Sequence, residues 1–385
     1  MKCKLSDFVE INPKETLPKY TLAKKIAMEK LQPFCREVSG YDLEKFSGGS
    51  KFRNGDTIMA RITPCLENGK IAQINILNKE EVGFGSTEFL VFRAKKGMSD
   101  PNFIYYLIIS ESVRIPAIKS MVGSSGRQRV QTSVVENLEI DLPDLETQKK
   151  IAKVLSALDD KIELNNKINK NLEEQANALF ERQFINNDNL PVNWTQGSLL
   201  DIADYLNGLA MQSFRPSDNE IGLPVLKIKE LRQGLCDDNS ELCSPSIKSE
   251  YIVHDGDVIF SWSGSLLVDL WCGGTCGLNQ HLFKVTSNKY DKWYYYLWTK
   301  HHLKHFIGVA ADKATTMGHI KRGDLLNAKV VIPSESDYKS MSSIFKPIIE
   351  KIVTNRIENR RLALIRDAIL PQLMSGEIDV DNVEI

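Results

Sequence analysis

Two long stretches of the chain place apolar or small residues at alternating spacings of four and three. This spacing predicts amphipathic helices, each with a narrow coiled-coil seam. The seam of the first helix consists of Ile151, Leu155, Leu158, Ile162, Asn165, Asn169, Leu172, Ala176 and Leu179. The seam of the second consists of Met341, Phe345, Ile348, Ile352, Asn355, Asn359, Leu362, Arg366 and Ile369. Both seams are interrupted by two asparagines at the same two steps.

Helices with so narrow an apolar seam are marginal alone, so the two are expected to pack on one another. In an antiparallel pair, Asn165 faces Asn359 and Asn169 faces Asn355. A buried polar residue penalises every alignment in which it lacks a polar partner, so the asparagines are predicted to fix the helix register. The alternative is that they face solvent on two unrelated helices. Pro347 is expected either to kink the second helix or to stand in its first turn.

Shorter segments ahead of each long helix alternate apolar and polar residues, and Gly, Asn and Pro bound them. Such alternation is typical of β-strands. The predicted strands are 57–62, 70–74 and 88–92 in the first half and 258–262 and 281–285 in the second. Residues 101–120 and 291–308 have helical spacing. The predicted fold class is therefore mixed α/β, with two similar α+β domains and a pair of long antiparallel coiled-coil helices.

The two halves of the chain also repeat one another. Residues 103–107 (FIYYL) return 190 positions later as 293–297 (WYYYL), and Leu142-Pro143 returns in the same register as Ile332-Pro333. A duplication that keeps its framework while other positions diverge suits a protein that reads two different things with one architecture. The predicted boundaries are a first domain at 1–147, a central helix at 148–184, a second domain at 185–336, and a C-terminal helix and tail at 337–385.

Composition describes an ordinary globular protein of more than one domain. Of its 385 residues 42% are apolar and 26% are charged. The sequence contains no apolar run of about 20 residues and no signal-peptide core, so a cytoplasmic protein without membrane association is expected. The seven scattered cysteines do not predict a disulfide framework.

The net charge of −1 conceals a difference between the two halves. Residues 1–143 carry 21 Lys and Arg against 17 Asp and Glu, whereas residues 184–333 carry 14 against 16, and all six histidines lie in the second half. Phosphate neutralisation supplies most nonspecific affinity for nucleic acid. A chain so close to neutral is therefore not expected to bind DNA strongly alone, and a partner has to share the electrostatics.

Motifs for catalysis are absent from the sequence. It contains no phosphate-binding G-x-x-x-x-G-K-[ST] loop, no Asn/Asp-Pro-Pro-aromatic tetrapeptide of amino-methyltransferases and no Gly-x-Ser-x-Gly elbow. Cys272, Cys276 and His281 invite a zinc interpretation, but the cysteine spacing is wrong and a fourth ligand is missing, so reduced cysteines are favoured and no metal is predicted. The histidines at 301, 302 and 305 are interpreted as surface or packing residues.

Candidate recognition residues lie in two corresponding loops, rich in glycine and hydroxyl side chains, before each Pro of the repeat. Small residues let a backbone approach a phosphate, and Arg, Gln, His and Lys offer donors to phosphates or base edges. The candidates for DNA binding in these loops are Ser124, Arg127, Gln128 and Arg129, then Thr316, His319, Lys321 and Arg322. A second pair of corresponding segments adds Arg61 and Lys70 in the first half, and Trp262 in the second. The alternative is a solvated turn without a ligand.

The chain resembles the specificity subunit of type I restriction–modification systems. Residues 142–152 (LPDLETQKKIA) and 155–165 (LSALDDKIELN) are similar to that family's central conserved region. Residues 190–194 (LPVNW) resemble the start of its second target-recognition domain, 319–325 (HIKRGDL) the end of such a domain, and 370–378 (LPQLMSGEI) its closing segment. The sequence departs from the family at 333–338 (PSESDY), where the Pro-to-Gln segment is degraded, and in lacking Pro-x-x-Trp at the first domain.

The resemblance implies that each domain binds one half of an interrupted site in double-stranded DNA. It also implies two modification subunits, which methylate adenine with S-adenosylmethionine, and restriction subunits, which use ATP and magnesium. This chain then binds no cofactor and carries no catalysis. Roughly 35 helical residues span about 50 Å, enough to set two domains one DNA turn of about 34 Å or more apart.

Two other functions remain open at this point. One is a nuclease or methyltransferase with diverged motifs, which predicts activity from the purified chain alone. The other is a scaffold of two modules joined by a helical spacer that does not bind DNA.

Overall fold

The computed structural model describes residues 2–124, 126–187, 190–312 and 319–383. The contacts divide the chain into two units, each assembled from segments distant in sequence. The first unit comprises residues 1–163 and 362–385, and the second comprises residues 164–361. The long helices Leu145–Phe180 and Glu335–Ser375 both cross the division, so each unit includes one part of each helix.

The first unit contains three sheets of short strands and several helices. Its strands are β1 (Lys2–Lys4), β2 (Val9–Ile11), β3 (Leu22–Ile26), β4 (Asp42–Lys45), β5 (Lys51–Phe52), β6 (Thr57–Ala60), β7 (Ile71–Gln73), β8 (Gly83–Gly85), β9 (Phe89–Ala94) and β10 (Glu139–Asp141). Its helices are α1 (Leu5–Phe8), α2 (Pro101–Ile109), α3 (Glu111–Lys119), α4 (Thr132–Glu136) and the first part of α5 (Leu145–Phe180). The sheet orders are β2-β9-β6-β7, β4-β3-β8-β5 and β1-β10.

The second unit repeats this plan. Its strands are β11 (Thr195–Ser198), β12 (Asp204–Asn207), β13 (Leu223–Leu226), β14 (Leu242–Cys243), β15 (Ile252–Val253), β16 (Val258–Ser261), β17 (Leu267–Leu270), β18 (Cys276–Leu278), β19 (Leu282–Thr286) and β20 (Lys329–Ile332). Its helices are α6 (Leu199–Ile202), α7 (Ile228–Gln233), α8 (Lys292–Asp312), α9 (Arg322–Asn327) and the first part of α10 (Glu335–Ser375). The sheet orders are β12-β19-β16-β17, β14-β13-β18-β15 and β11-β20, so adding ten to each strand of the first unit gives its counterpart. The predicted internal duplication is confirmed.

The sheets of each unit are bound to its part of the helix pair by a shared apolar core. In the first unit Ile151 and Leu155 of α5 and Leu373 of α10 lie in the same core as α2. In the second unit Ala176 of α5 and Phe345 of α10 lie in the core that contains the buried face of α8. Every seam position predicted from the 4,3 spacing is buried or half-buried. The helices therefore belong to the cores and are not independent rods.

The main differences from the predicted elements concern helices, since the predicted strand ends lie within two residues of the observed ones. Residues 101–120 form two helices, because Ser110 has an extended backbone and its hydroxyl donates to the carbonyl oxygen of Leu107 at 2.6 Å. α5 begins at Leu145, ahead of the predicted 148, and a π-helical turn, Glu181–Ile185, prolongs it. α10 runs from Glu335 through Pro347 without interruption, so the placement of this proline in a first turn was wrong.

Candidate recognition sites

One candidate site lies where three segments of the first domain meet beside the end of β6. The backbone N–H of Arg61 donates to the carbonyl oxygen of Glu88 at 2.9 Å, and the carbonyl of Arg61 accepts from the N–H of Val130 at 2.9 Å. Arg129 is joined to Ile62 by an antiparallel bridge. These contacts bring together Arg61, Glu88 and Arg129, which we name the first edge group.

Charge holds the first edge group together. The Arg129 guanidinium donates from Nε and Nη2 to the Glu88 carboxylate, at 2.9 Å and 2.6 Å for the shortest contacts, and Arg61 Nε lies 3.8 Å from the same carboxylate. Hydrogen bonding from Arg129 holds the pKa of Glu88 below its ordinary value. The Arg129 side chain is nevertheless 51% exposed. A guanidinium that is fixed by a carboxylate and still exposed to solvent can donate to an external acceptor.

The second domain builds the same junction at the end of β16. The N–H of Trp262 donates to the carbonyl oxygen of His281 at 3.4 Å, and the carbonyl of Trp262 accepts from the N–H of Ile320 at 2.9 Å. His319 is bridged to Ser263. Trp262, His281 and His319, which we name the second edge group, therefore stand at the positions of Arg61, Glu88 and Arg129.

Rings replace the ion pairs in the second edge group. The Trp262 ring lies 6.2 Å from the His281 ring and 6.0 Å from the His319 ring, measured between centroids. Its indole N–H donates to Asn207 Oδ1 at 2.8 Å. Beside it is a cleft of about 300 Å³, and the residues lining that cleft include Trp262, Asn207 and Arg322. The second edge group thus consists of one indole and two imidazole rings, without a carboxylate.

The other predicted DNA-binding residues have varied surroundings. Arg127 and Ser124 are exposed, and the N–H of Arg127 donates to the carbonyl oxygen of Ser124 at 3.0 Å. Gln128 is half-buried, and its carbonyl accepts from Thr63. Lys70 makes an intramolecular hydrogen bond, in which its Nζ donates to the Met28 carbonyl oxygen at 3.0 Å.

In the second domain, Lys321 caps α9. Its backbone N–H donates to Asp324 at 2.8 Å, and its side chain is exposed. Arg322 is also exposed, at the cleft beside Trp262. Thr316 lies outside the described residues.

The four seam asparagines meet inside the second unit. Asn165 Nδ2 donates to Asn359 Oδ1 at 2.9 Å, and Asn355 Nδ2 donates to Asn169 Oδ1 at 2.8 Å. Asn165 also donates to Glu358 Oε2 at 2.8 Å. The solvent-facing alternative does not hold, because Asn165, Asn169 and Asn355 are almost fully buried. Their role in fixing the register remains a prediction.

A buried ion pair joins the same two helices in the first unit. Arg366 Nη1 donates to Asp159 Oδ1 at 2.7 Å, and the Tyr106 hydroxyl donates to Asp159 Oδ2 at 2.7 Å. The side chains of Arg366 and Asp159 are only 5% and 4% exposed. Burial raises the pKa of the Tyr106 hydroxyl, which therefore remains a proton donor to the carboxylate.

The degraded Pro-to-Gln segment keeps an internal role. In the first unit the buried Gln148 side chain accepts from the N–H of Asp100, the residue before α2, at 3.0 Å. The hydroxyl of Tyr338, which is 190 positions after Gln148, accepts from the N–H of Asp291, the residue before α8, at 2.5 Å and donates to the Asp291 carboxylate at 3.2 Å. Each side chain links the start of a long helix to the helix that carries the repeated aromatic motif. Tyr338 therefore replaces Gln148 in this internal contact.

Sequence reasoning missed Glu88 and His281 as site residues. The available signal was their position, since each is the first residue of a strand predicted in corresponding places. In the structure each directly precedes its strand, β9 or β19, and each backbone N–H donates to a side chain two residues earlier, Ser86 in one case and Asn279 in the other. Aligning the two strands residue by residue pairs Glu88 with His281.

The histidine cluster of α8 is engaged in packing. The His302 ring is stacked on Trp298, with centroids 6.0 Å apart, and His302 Nε2 lies 2.8 Å from the carbonyl oxygen of Lys329. Cys272 and Cys276 are buried, free cysteines. In the described part of the chain, no group of three or more His, Cys, Asp or Glu residues is placed to hold a metal ion. Within the same residues, no helix combines the length and apolarity needed to span a bilayer.

Comparison with known proteins gives one consistent family. The family described as "Type I restriction modification DNA specificity domain" matches residues 1–174 and again residues 191–365. The MjaIX specificity subunit of Methanocaldococcus jannaschii is 28% identical over 305 residues, covering 73% of this chain and 70% of its own. The HindI specificity subunit of Haemophilus influenzae is 21% identical, covering 85% and 87%.

A solved structure shares the fold. The crystal structure of the type I restriction–modification S subunit from M. genitalium has a TM-score of 0.55 at 14% identity, covering 97% of this chain and 95% of that one. The repeated domain, the paired long helices and the double match to the family agree. The chain belongs to the type I restriction–modification DNA specificity family and is one of its specificity subunits.

Proposed function

We propose that this specificity subunit reads a bipartite site in double-stranded DNA, one half with each domain, while other subunits perform the chemistry. The observation that carries the proposal is the pair of edge groups. They stand on the same strand framework but present ion-paired arginines in one domain and aromatic and imidazole rings in the other. Two domains that share a backbone framework but carry different side chains can recognise two half-sites of different sequence.

The paired helices are proposed to set the spacer between the half-sites. The asparagine pairs Asn165–Asn359 and Asn169–Asn355 give one alignment in which all four amides face another amide. Slipping either helix along the seam removes these contacts and buries unpaired amides, which is costly. A fixed helix alignment is what a fixed spacer length requires.

The helices are also proposed to dock two modification subunits. Large apolar side chains are exposed on both of them, with Leu164 and Ile344 each 52% exposed in the second unit and Leu364 and Ile365 64% and 49% exposed in the first. Adjacent exposed apolar side chains, such as Leu364 and Ile365, favour a surface for protein contact. The chain's net charge of −1 fits a complex in which partners supply most phosphate contacts. S-adenosylmethionine, and the ATP and magnesium used by restriction subunits, are assigned to these partners.

Binding and methylation assays test the proposal directly. The full chain and its co-encoded modification subunits are assayed together and separately on random duplexes, and methylated motifs are read by single-molecule sequencing. A bipartite adenine-methylated motif that requires both components supports the proposal. Activity from the chain alone favours the fused enzyme, and no DNA binding in any combination favours the two-module scaffold.

Lengthening the helix pair tests the division of labour. One heptad inserted after Leu164, with a matching heptad after Asn359, adds about 10 Å to the pair. The methylated motif is expected to gain roughly three base pairs of spacer, at about 3.4 Å per base pair, while both half-sites stay the same. A changed half-site contradicts the assignment of recognition to the domains.

A further inference from the structure

The two edge groups have matching backbone hydrogen bonds and bridges, but their side chains differ in chemical type. In each, the residue after the central strand is held on both sides by backbone hydrogen bonds, with donor and acceptor in the same sense. Corresponding bridges place Arg129 opposite Ile62 and His319 opposite Ser263, the residues that follow Arg61 and Trp262. Such a frame lets side chains be exchanged without moving the chain.

We propose that positions 61, 88 and 129 of the first domain and 262, 281 and 319 of the second determine which base pairs are read. In this proposal the first edge group reads a G·C pair and the second reads an A·T pair. The inference rests on the proposed function, because it presupposes that each domain reads half of a DNA site.

The first edge group has the donors and the acceptor of a G·C reader. Glu88 engages Nε and Nη2 of Arg129, whereas Nη1 donates to no described residue. A guanidinium edge therefore remains for guanine O6 and N7, the most common specific contact of arginine, and a carboxylate can accept from the cytosine amino group. Because the Glu88 bonds fix the Arg129 fork beforehand, binding costs less side-chain entropy. Glu88 is thus a positioning residue for Arg129.

The second edge group has neither a guanidinium nor a carboxylate. Trp262 presents an apolar ring, and Phe283 lies 5.7 Å from it between centroids. Apolar side chains recognise the methyl group of thymine in the major groove. Ser263 Oγ lies 3.0 Å from His281 Nδ1, which fixes the imidazole beside the ring. The group therefore suits a pair that carries the thymine methyl and disfavours one that demands a bidentate guanidinium.

The test uses the full chain with its modification subunits in a host without other adenine methylation. Arg129→Gln and Glu88→Gln are expected to relax discrimination at a single G·C position of one half-site. The discrimination ratio, which is the affinity for the correct base pair divided by the affinity for the mismatched one, should fall roughly 5- to 150-fold. This is the range expected for one bidentate base contact. The triple exchange R61W/E88H/R129H should change that half-site only. Trp262→Ala should relax an A·T position of the other half-site.

A control separates base reading from phosphate contact and from stability. Arg127→Gln alters an exposed arginine of the same loop and is expected to weaken binding equally on all sequences. If Arg129→Gln and Glu88→Gln leave the motif unchanged, or relax a position that is not G·C, the inference is wrong. Loss of thermal stability with an unchanged discrimination ratio also refutes it, by assigning Glu88 a merely structural role. A wild-type complex that methylates no bipartite motif instead refutes the proposed function.

Discussion

Removing one member of the buried pair Asp159–Arg366 should destabilise the first unit selectively. Arg366→Met leaves the Asp159 carboxylate buried, and the Tyr106 hydroxyl is then its one donor among the described residues. Breaking a buried ion pair in this way costs about 3–5 kcal/mol. For a unit of this size the loss corresponds to a decrease of roughly 6–20 °C in the unfolding midpoint.

The chain contains a natural reporter for this experiment. All tryptophans lie in the second unit, at positions 194, 262, 271, 293 and 298. Tryptophan fluorescence therefore follows the second unit, while far-ultraviolet circular dichroism follows both. Arg366→Met should produce an early circular dichroism transition without a change in fluorescence.

Two further variants make the reasoning refutable. Lys153→Met changes an exposed cation on α5 and should shift the midpoint little, as surface substitutions do. D159L/R366M/Y106F replaces the pair with apolar side chains and removes the orphaned hydroxyl. Its free energy of unfolding should therefore equal the wild-type value or exceed it by about 1–4 kcal/mol. If Arg366→Met and Lys153→Met behave alike, the pair does not hold the helices.

Three other perturbations have expected outcomes. N165L/N359L should leave the protein folded but relax the helix register, so methylome sequencing should show motifs with more than one spacer length; a single unchanged spacer counts against the role of the asparagines. L364E/I365E should abolish co-purification of modification subunits while leaving circular dichroism unchanged, and retained co-purification places docking elsewhere. Burial lowers the pKa of His302 in the folded protein from its ordinary value of 6.5. As the pH falls, the imidazole is therefore protonated in the unfolded state at a higher pH than in the folded state. The stability that His302 contributes is therefore complete above pH 6.5 and is lost as pH falls, so the fluorescence midpoint should decrease between pH 7.5 and 5.5, and less so in His302→Gln.

Periodicity and repetition sufficed to predict the architecture. The 4,3 spacing identified every seam position, and the offset of 190 predicted a duplicated fold before any strand was located. The 4,3 spacing depends on neighbouring residues and the repeat depends on a constant offset, so both can be seen in a single sequence. Ser110 was missed because a helix break set by one side-chain bond leaves the apolar spacing around it intact.

The candidate sites depend on pairings that the sequence does not display. Arg129 was predicted from its loop, but Glu88 is 41 residues away and joins it only through the strand register. Asp159 lies one position outside the 4,3 pattern, so the pattern does not indicate a charged partner for Arg366, which is a seam position. The charged residues can be identified from the sequence, but their partners at distant positions can be identified only from the fold.

The ion pair at Asp159 and Arg366 also makes the two repeats unequal. Under the internal repeat, which relates positions 190 apart, Arg366 corresponds to Ala176 and Asp159 to Ile349, and both of these lie in the apolar core of the second unit. If the central helix paired with its own copy from another molecule, Asp159 would face an alanine and lose its counter-ion. The buried pair therefore favours pairing of the central helix with the second half of its own chain over pairing with a duplicate of the first half.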